Sequence, residues 1–343
     1  MAKDIVADLE EIGALVNATD LEQYQVRFED ESVAMDLQDG TRAIFPKPPS
    51  GGIVMGLILN IISGYKMTPT SAEETLSYHR FVEAMKFGYG QRMILGDASF
   101  DIGIDQLVAN LSRIDVAEQF RRLIDDSKTH DVQYYLPGMY QQMKNDHGTS
   151  EITAMDSEGN AVAITSTVNT EFGSGVMGRR TGILFNNQMD DFSTPNQTNH
   201  YNLPPTEANF IKPGKRPMSS MCPSLFLTPT DDGYKVKLAI GASGGSKIIS
   251  AVAYSAMRIL FFGENPKLAV DALRLHHQLI PDKLNYEEGM PLVILNSLKD
   301  KGHRNVTTMG FSTLVQAIEH YQPLNILNTV SDVRKGQVQA DGY

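Results

Sequence analysis

Residues 53–62, IVMGLILNII, carry no charge and are interrupted only by Gly56 and Asn60. This run constrains the fold more than any other feature of the chain. It is too short to cross a bilayer, which takes about 20 apolar residues. A helix apolar on all sides has to be enclosed by other elements. The run therefore predicts a buried helix, entered through the Pro/Gly break KPPSGG at 47–52. At 343 residues the chain can surround such a helix, as one large domain or two ordinary ones. Its 41% hydrophobic and 21% charged content is that of a soluble globular protein.

The first 148 residues read as mainly helical. Ile5, Leu9, Ile12 and Leu15 recur at three- and four-residue steps, an amphipathic helix pattern. Residues 76–95 predict another helix, with Phe81, Met85 and Phe87 as packing positions, and shorter helices are expected around 105–111 and 116–124. The character changes near residue 148. Residues 151–169 read as two strands, EITAMD and AVAITSTVN, around a turn at 157–160. Further strands are predicted at 183–185 and 236–240, and helices at 247–262 and 266–275. There is no internal repeat. Strands mixed with helices favour a sheet covered by helices.

A net charge of −11 argues against nucleic acid, which needs a basic face. Cys222 is the single cysteine, so no intrachain disulfide can form and the redox compartment stays open. Four glycosylation sequons start at Asn17, Asn110, Asn196 and Asn305, a pattern that fits a secreted context but also arises by chance in a chain this long. The first 22 residues lack the continuous apolar stretch of a signal peptide.

Chemistry could reside in five polar, glycine- or serine-containing segments: HGTSE (147–151), TSTVN (165–169), NNQMDDFS (186–193), PMSSMCPS (217–224) and GASGG (241–245). Each has an ordinary reading by itself, as strand, turn, loop or helix start. Several other sites fail on inspection. GASGGSKI lacks the Gly-Lys-Ser/Thr ending of a phosphate loop. His276 and His277 are adjacent, so on a helix they point apart, and no other His or Cys has zinc-ligand spacing. Asp190 and Asp191 lack the alternating ligands of a calcium loop, and there is no Gly-x-Ser-x-Gly elbow.

In this order the segments resemble the γ-glutamyl transpeptidase family, and the resemblance covers nearly the whole chain. It includes PPSGGIVMGLILNIISGY, LSYHRFVEAMKFGYGQRMILGD, LRLHHQL and SDVRKGQVQADGY. Its most specific part is the run TSTVNTEFGS, TGILFNNQMDDFS, ANFIKPGKRPMSSMCPS.

The resemblance implies an α/β (α+β) N-terminal-nucleophile hydrolase fold, a four-layer αββα sandwich, here N-terminally truncated. It implies self-cleavage between Gly148 and Thr149, dividing the chain into the C-terminal part of a large subunit (1–148) and a small catalytic subunit (149–343) that together form a heterodimer. Thr149 would be the nucleophile. A threonine hydroxyl needs an adjacent base, and cleavage frees an α-amine of pKa about 8 to serve as one. Thr167 matches the threonine that orients the nucleophile, and Gly244 and Gly245 match the oxyanion hole. Asn169, Gln188 and Asp191 match ligands of the substrate α-ammonium, and Ser219 and Ser220 donors to its α-carboxylate. The implied substrates are glutathione and other γ-glutamyl compounds, with water, amino acids or dipeptides as acceptors. No metal or organic cofactor is implied. The family suggests the extracellular face of the plasma membrane, secretion or the periplasm. One departure stands out: the family's carboxylate-binding arginine lies upstream of the region this chain matches. Two other readings therefore stay open, a non-catalytic fragment or pseudoenzyme of the family and a related acylase.

Overall fold

The computed structural model describes residues 1–29, 31–138, 148–195, 205–310, 313–336 and 340–342. The first half contributes α1 (Ala2–Glu11), α2 (Ala18–Gln23), β1 (Val33–Asp36), β2 (Arg42–Phe45), α3 (Gly52–Ser63), α4 (Thr75–Arg92), α5 (Ile102–Leu111) and α6 (Ile114–Leu123). The second opens with the strands β3 (Thr149–Met155), β4 (Ala161–Thr167), β5 (Ser224–Thr230) and β6 (Gly233–Ser243), followed by α7 (Ile248–Leu260) and α8 (Pro266–Asp271). It closes with β7 (Leu275–His276), β8 (Asn285–Glu287), α9 (Leu292–Asp300), β9 (Thr307–Met309), β10 (Leu314–Tyr321) and β11 (Ile326–Ser331).

The main sheet runs β1-β2-β5-β6-β10-β11 and is antiparallel throughout. Strand β1 at one edge and its neighbour β2 come from the first half, so residues on both sides of Gly148 share one sheet. No strand was predicted in the polar stretch before the Pro/Gly break. It forms strands because Val33, Met35, Ala43 and Phe45 alternate onto the core.

In β6 every residue from Leu238 to Ser243 is buried, as in a strand covered on both faces. Leu238, Ile240 and Ala242 join the core with α7, while Gly241 faces the hairpin β3-β4. Helices α3, α4 and α7 thus cover one face and the hairpin lies against β6 and β10 on the other. The described residues supply a helical layer, a sheet, and a two-stranded second sheet. Every residue of α3 is buried, as its composition requires. Phe81, Met85 and Phe87 of α4 are buried too.

Other expectations shift. The first helix ends at Glu11, and Leu15 is exposed. Residues 183–185 form no strand, only a bridge between Met177 and Leu184. The helix expected to reach 275 stops at Asp271, and His276 lies in the short strand β7. Buried Arg274 donates to Asp332 (2.6 Å), and Arg334 to Glu287 (2.5 Å), tying the β7-β8-β9 sheet to the main one. The sequon asparagines Asn17, Asn110 and Asn305 are exposed, whereas Asn196 lies outside the described residues. No helix among the described residues is long and apolar enough to cross a membrane.

Candidate active site

Thr149 opens β3 directly opposite Thr167, the last residue of β4. Strand alternation puts Thr149, Glu151, Thr165 and Thr167 on the face turned to the main sheet. Thr149 Oγ1 donates to Thr167 Oγ1 (3.3 Å), and Thr167 Oγ1 donates to the carbonyl oxygen of Gly148 (2.9 Å). The Val168 N–H also donates to that carbonyl (3.2 Å). Two hydroxyls and one peptide N–H thus converge on the bond between Gly148 and Thr149.

Two backbone features hold this arrangement. Gly148 N–H donates to Asn169 O (2.8 Å), and a Cβ on Gly148 would overlap the carbonyl of Thr170, so the chain passes there only as glycine. Asn169 takes φ +77, a conformation Asn tolerates better than most residues, and its N–H donates to Thr167 Oγ1 (2.9 Å). The Thr167 hydroxyl therefore receives from Thr149 and Asn169 and gives to Gly148.

Asn169 is buried, and its Nδ2 donates to Asn187 O (3.2 Å). Its side-chain oxygen has no hydrogen-bond partner. A buried acceptor left open costs about 1–3 kcal/mol, so it calls for a donor. Beyond Asn187, a short helical turn holds Gln188 and Asp191, with Gln188 Nε2 donating to Asp191 Oδ2 (2.6 Å). Asn209 continues the path, donating to Asp191 O (2.8 Å) and accepting from Met218 N–H (2.9 Å).

Ser219 and Ser220 follow Met218. Ser219 N–H donates to Pro49 O (2.7 Å), which seats this loop on the Pro/Gly segment leading into α3. Arg92, nearly buried at the end of α4, donates to Ser220 Oγ (3.2 Å). No hydrogen bond joins either serine directly to Thr149 or Thr167 among the described residues. The loop is braced from outside by Asp97, which accepts from the N–H and guanidinium of Arg216 (2.9 Å each) and pairs with Arg27. Burial alone would raise the Asp97 pKa, but the Arg216 contacts and the Ser99 hydroxyl hold it at about 2.

Gly244 and Gly245 lie just past β6, at φ +128 and +65, which favours glycine at both positions. They lead through a short 3₁₀ turn into α7. Hydrogen bonds through Asn187, Asn209 and Met218, with steps along the chain between them, thus connect Thr149, Thr167, Asn169, Gln188 and Asp191 to the loop of Ser219, and the glycine pair lies at the end of the strand beneath the hairpin.

Three features were missed in the sequence. Glu151 shares the inner face with Thr149. Burial raises its pKa from 4.5 to about 7, although Thr165 donates to it. Simple strand alternation would have found it. The Arg92 contact with Ser220 has no sequence signal. The third is a buried trio, His79, Glu83 and His303, whose ligand atoms lie within 4.8 Å of one another, so the absence of zinc-ligand spacing did not preclude a cluster. His79 and Glu83 are one helical turn apart on α4, a spacing legible in the sequence. The trio is already bonded: His79 to His303 (2.9 Å) and to Asp125 O (2.9 Å), Glu83 to Thr129 (2.6 Å) and Tyr135 (2.5 Å). Lys86 lies 3.4 Å from the Glu83 carboxylate, where it would repel a cation. His276 and His277 bond separately, to Ser250 (2.8 Å) and Asp282 (3.2 Å).

The family described as Gamma-glutamyltranspeptidase matches residues 1–342. Scoloptoxin SSD14 from Scolopendra dehaani is 39% identical over 340 residues, 98% of this chain and 57% of that protein. Glutathione hydrolase 2 from Arabidopsis thaliana is 38% identical over 349 residues, 97% of this chain and 59% of that protein. The chain therefore spans somewhat less than three fifths of the length of these two relatives. In structure, all of the chain superposes on 59% of a cephalosporin acylase from Bacillus halodurans, with a TM-score of 0.77 and 24% identity, a likeness of fold alone.

Proposed function

The chain belongs to the gamma-glutamyltranspeptidase family and has the N-terminal-nucleophile hydrolase fold, and from that premise we propose that it cleaves itself before Thr149 and then transfers γ-glutamyl groups. The observation that carries this reading is the hydroxyl path from Thr149 through Thr167 to the Gly148 carbonyl. In the uncut chain the Thr149 nitrogen is an amide and cannot act as a base. The path supplies the proton transfer instead. Thr149 Oγ attacks the Gly148 carbonyl carbon and passes its proton to Thr167, whose own proton moves to the former carbonyl oxygen. The Val168 N–H donates to the same oxygen as charge develops. On collapse the hydroxyl proton passes to the Thr149 nitrogen, the C=O bond re-forms and the C–N bond breaks, leaving Gly148 as an ester on Thr149. Water hydrolyses the ester, freeing a carboxylate on Gly148 and an α-amine on Thr149. Residues 1–148 and 149–343 would then stay together as two subunits, because strands from both share the main sheet.

With the amine free, Thr149 gains a base near neutral pKa. Attack on a γ-glutamyl amide, as in glutathione, gives a γ-glutamyl ester, which water or an amino-acid or dipeptide acceptor resolves. The backbone N–H groups of Gly244 and Gly245 are the candidates for stabilising the tetrahedral oxyanion. The open oxygen of Asn169 and the Gln188–Asp191 pair suit an α-ammonium, which brings donors and positive charge. Ser219 and Ser220 suit the α-carboxylate, and Arg92 places a guanidinium one hydrogen bond behind Ser220. That charge bears on the departure noted in the sequence, the upstream arginine.

Release of the chromophore from a γ-glutamyl anilide tests the reading. Turnover by the wild-type chain, lost in Thr149→Ala, supports it. Turnover that persists in Thr149→Ala refutes Thr149 as the nucleophile, and its absence from a wild-type chain that has cut itself refutes the activity.

A further inference from the structure

Glu151 lies beneath the hairpin that carries the nucleophile, and none of the steps above uses it. Its side chain enters a notch on β6. A Cβ on Gly241 would collide with both of its carboxylate oxygens, so the strand makes room for the carboxyl by having no side chain there. Across the hairpin, Glu151 pairs in register with Thr165, whose hydroxyl bonds to its Oε2. Its Oε1 is buried and has no hydrogen-bond partner. Thr149 and Thr167 form the next inward-facing pair of the same hairpin.

We propose that Glu151 is a positioning residue for Thr149: its carboxyl, seated in the Gly241 notch and bonded to Thr165, sets the height of the hairpin's nucleophile end over the main sheet. The proposal rests on the reading of Thr149 as the self-cleaving nucleophile and adds what holds it in register.

The seat suits a neutral carboxyl better than a charged one. Protonated on Oε2, it can donate to Thr165, and Oε1 becomes a neutral carbonyl, whose missing partner costs less than that of an anionic oxygen. Ionised, it keeps a buried anionic oxygen without a donor, which favours withdrawal toward water. Facing it are Thr165 of β4, Gly241 of β6, and a cavity of about 330 Å³ that it shares with Gln316 of β10, Ser331 of β11 and Asp341. Burial opposes ionisation of Glu151 and the Thr165 hydroxyl favours it; the buried Cys222 thiol, its own ionisation disfavoured by burial and by the charge of Glu151, stays neutral. No cation lines this cavity among the described residues.

The test uses chain made by cell-free synthesis, shifted to pH 5.5 or 8.5 and followed by intact mass. The ratio of wild-type to Glu151→Gln cleavage rate is expected to fall at least fivefold from pH 5.5 to 8.5. Gly241→Ala, which fills the notch, is expected to slow cleavage at least tenfold, and adding Glu151→Ala to it to recover part of that loss by removing the collision, though not the part owed to the seated carboxyl. A wild-type to Glu151→Gln ratio independent of pH overturns the proposal, as does a double variant no faster than Gly241→Ala. If the wild type stays uncut at both pH values, the reading of Thr149 fails, and thermal unfolding of the uncut chain decides the seating alone. A larger fall in Tm from pH 5.5 to 8.5 for the wild type than for Glu151→Gln supports it, and equal falls overturn it.

Discussion

Helix α3 and the hairpin β3-β4 lie on opposite sides of the main sheet and solve opposite problems. All twelve residues of α3 are buried, and its work is packing. The hairpin turns one face to the sheet and leaves Ile152, Val162 and Ile164 exposed. It carries the hydroxyl path and an ionisable carboxyl in a tight notch. The difference separates a wall that gives the molecule stability from a marginal element that gives it chemistry. Functional elements commonly come from the less stable end of a structure.

Thr149→Ala breaks the comparison most strongly if it is wrong. It is expected to leave the chain uncut and lower turnover at least about a thousandfold, with an unchanged far-UV spectrum; residual cleavage at Gly148 would remove Thr149 from its role. Leu57→Ala in the wall is expected to cost about 3 kcal/mol in urea unfolding, while the folded fraction cleaves within twofold of wild type. A large cleavage defect there would merge the two regions.

Glu151→Gln sharpens the hairpin's side. The folded pKa of about 7 lies above the ordinary 4.5, so between these values the folded chain holds a proton that the unfolded chain has lost. Stability then falls as pH rises through that window, and the loss is complete above about 7. In a Thr149→Ala background, Glu151→Gln is expected to gain about 1–2 kcal/mol at pH 8, after allowing for solvent reaching the site, and close to nothing at pH 4.5. A gain equal at both pH values would contradict the seating. The smallest effect belongs to the outer face, where Ile164 is 53% exposed. Ile164→Ser is expected to change stability by less than about 0.5 kcal/mol, and a loss above about 1.5 would mean that this face is covered in solution.

The wall was legible in sequence because a long apolar run leaves only one kind of environment, and 53–62 became α3 with its bounds moved by a residue. The hairpin was legible because two short runs of strand-forming residues flank a turn signal at 157–160. Strands β1 and β2 were not, since four-residue strands carry too few alternations to stand out from a polar loop. At the site, the segments around Thr149, Thr167 and Asn169 were visible as motifs. Their convergence on the Gly148 carbonyl was not, because it depends on the left-handed turn at Asn169 and on a glycine pressed against Thr170. Arg92 and Ser220 are 128 positions apart, and no local pattern predicts such a contact.

Intact-mass analysis of the purified wild-type chain, with N-terminal sequencing of the products, tests the central claim most directly. The account predicts two pieces, residues 1–148 and 149–343, the second beginning at Thr149. A single uncut chain in folded protein, or a cut at any other bond, would contradict it.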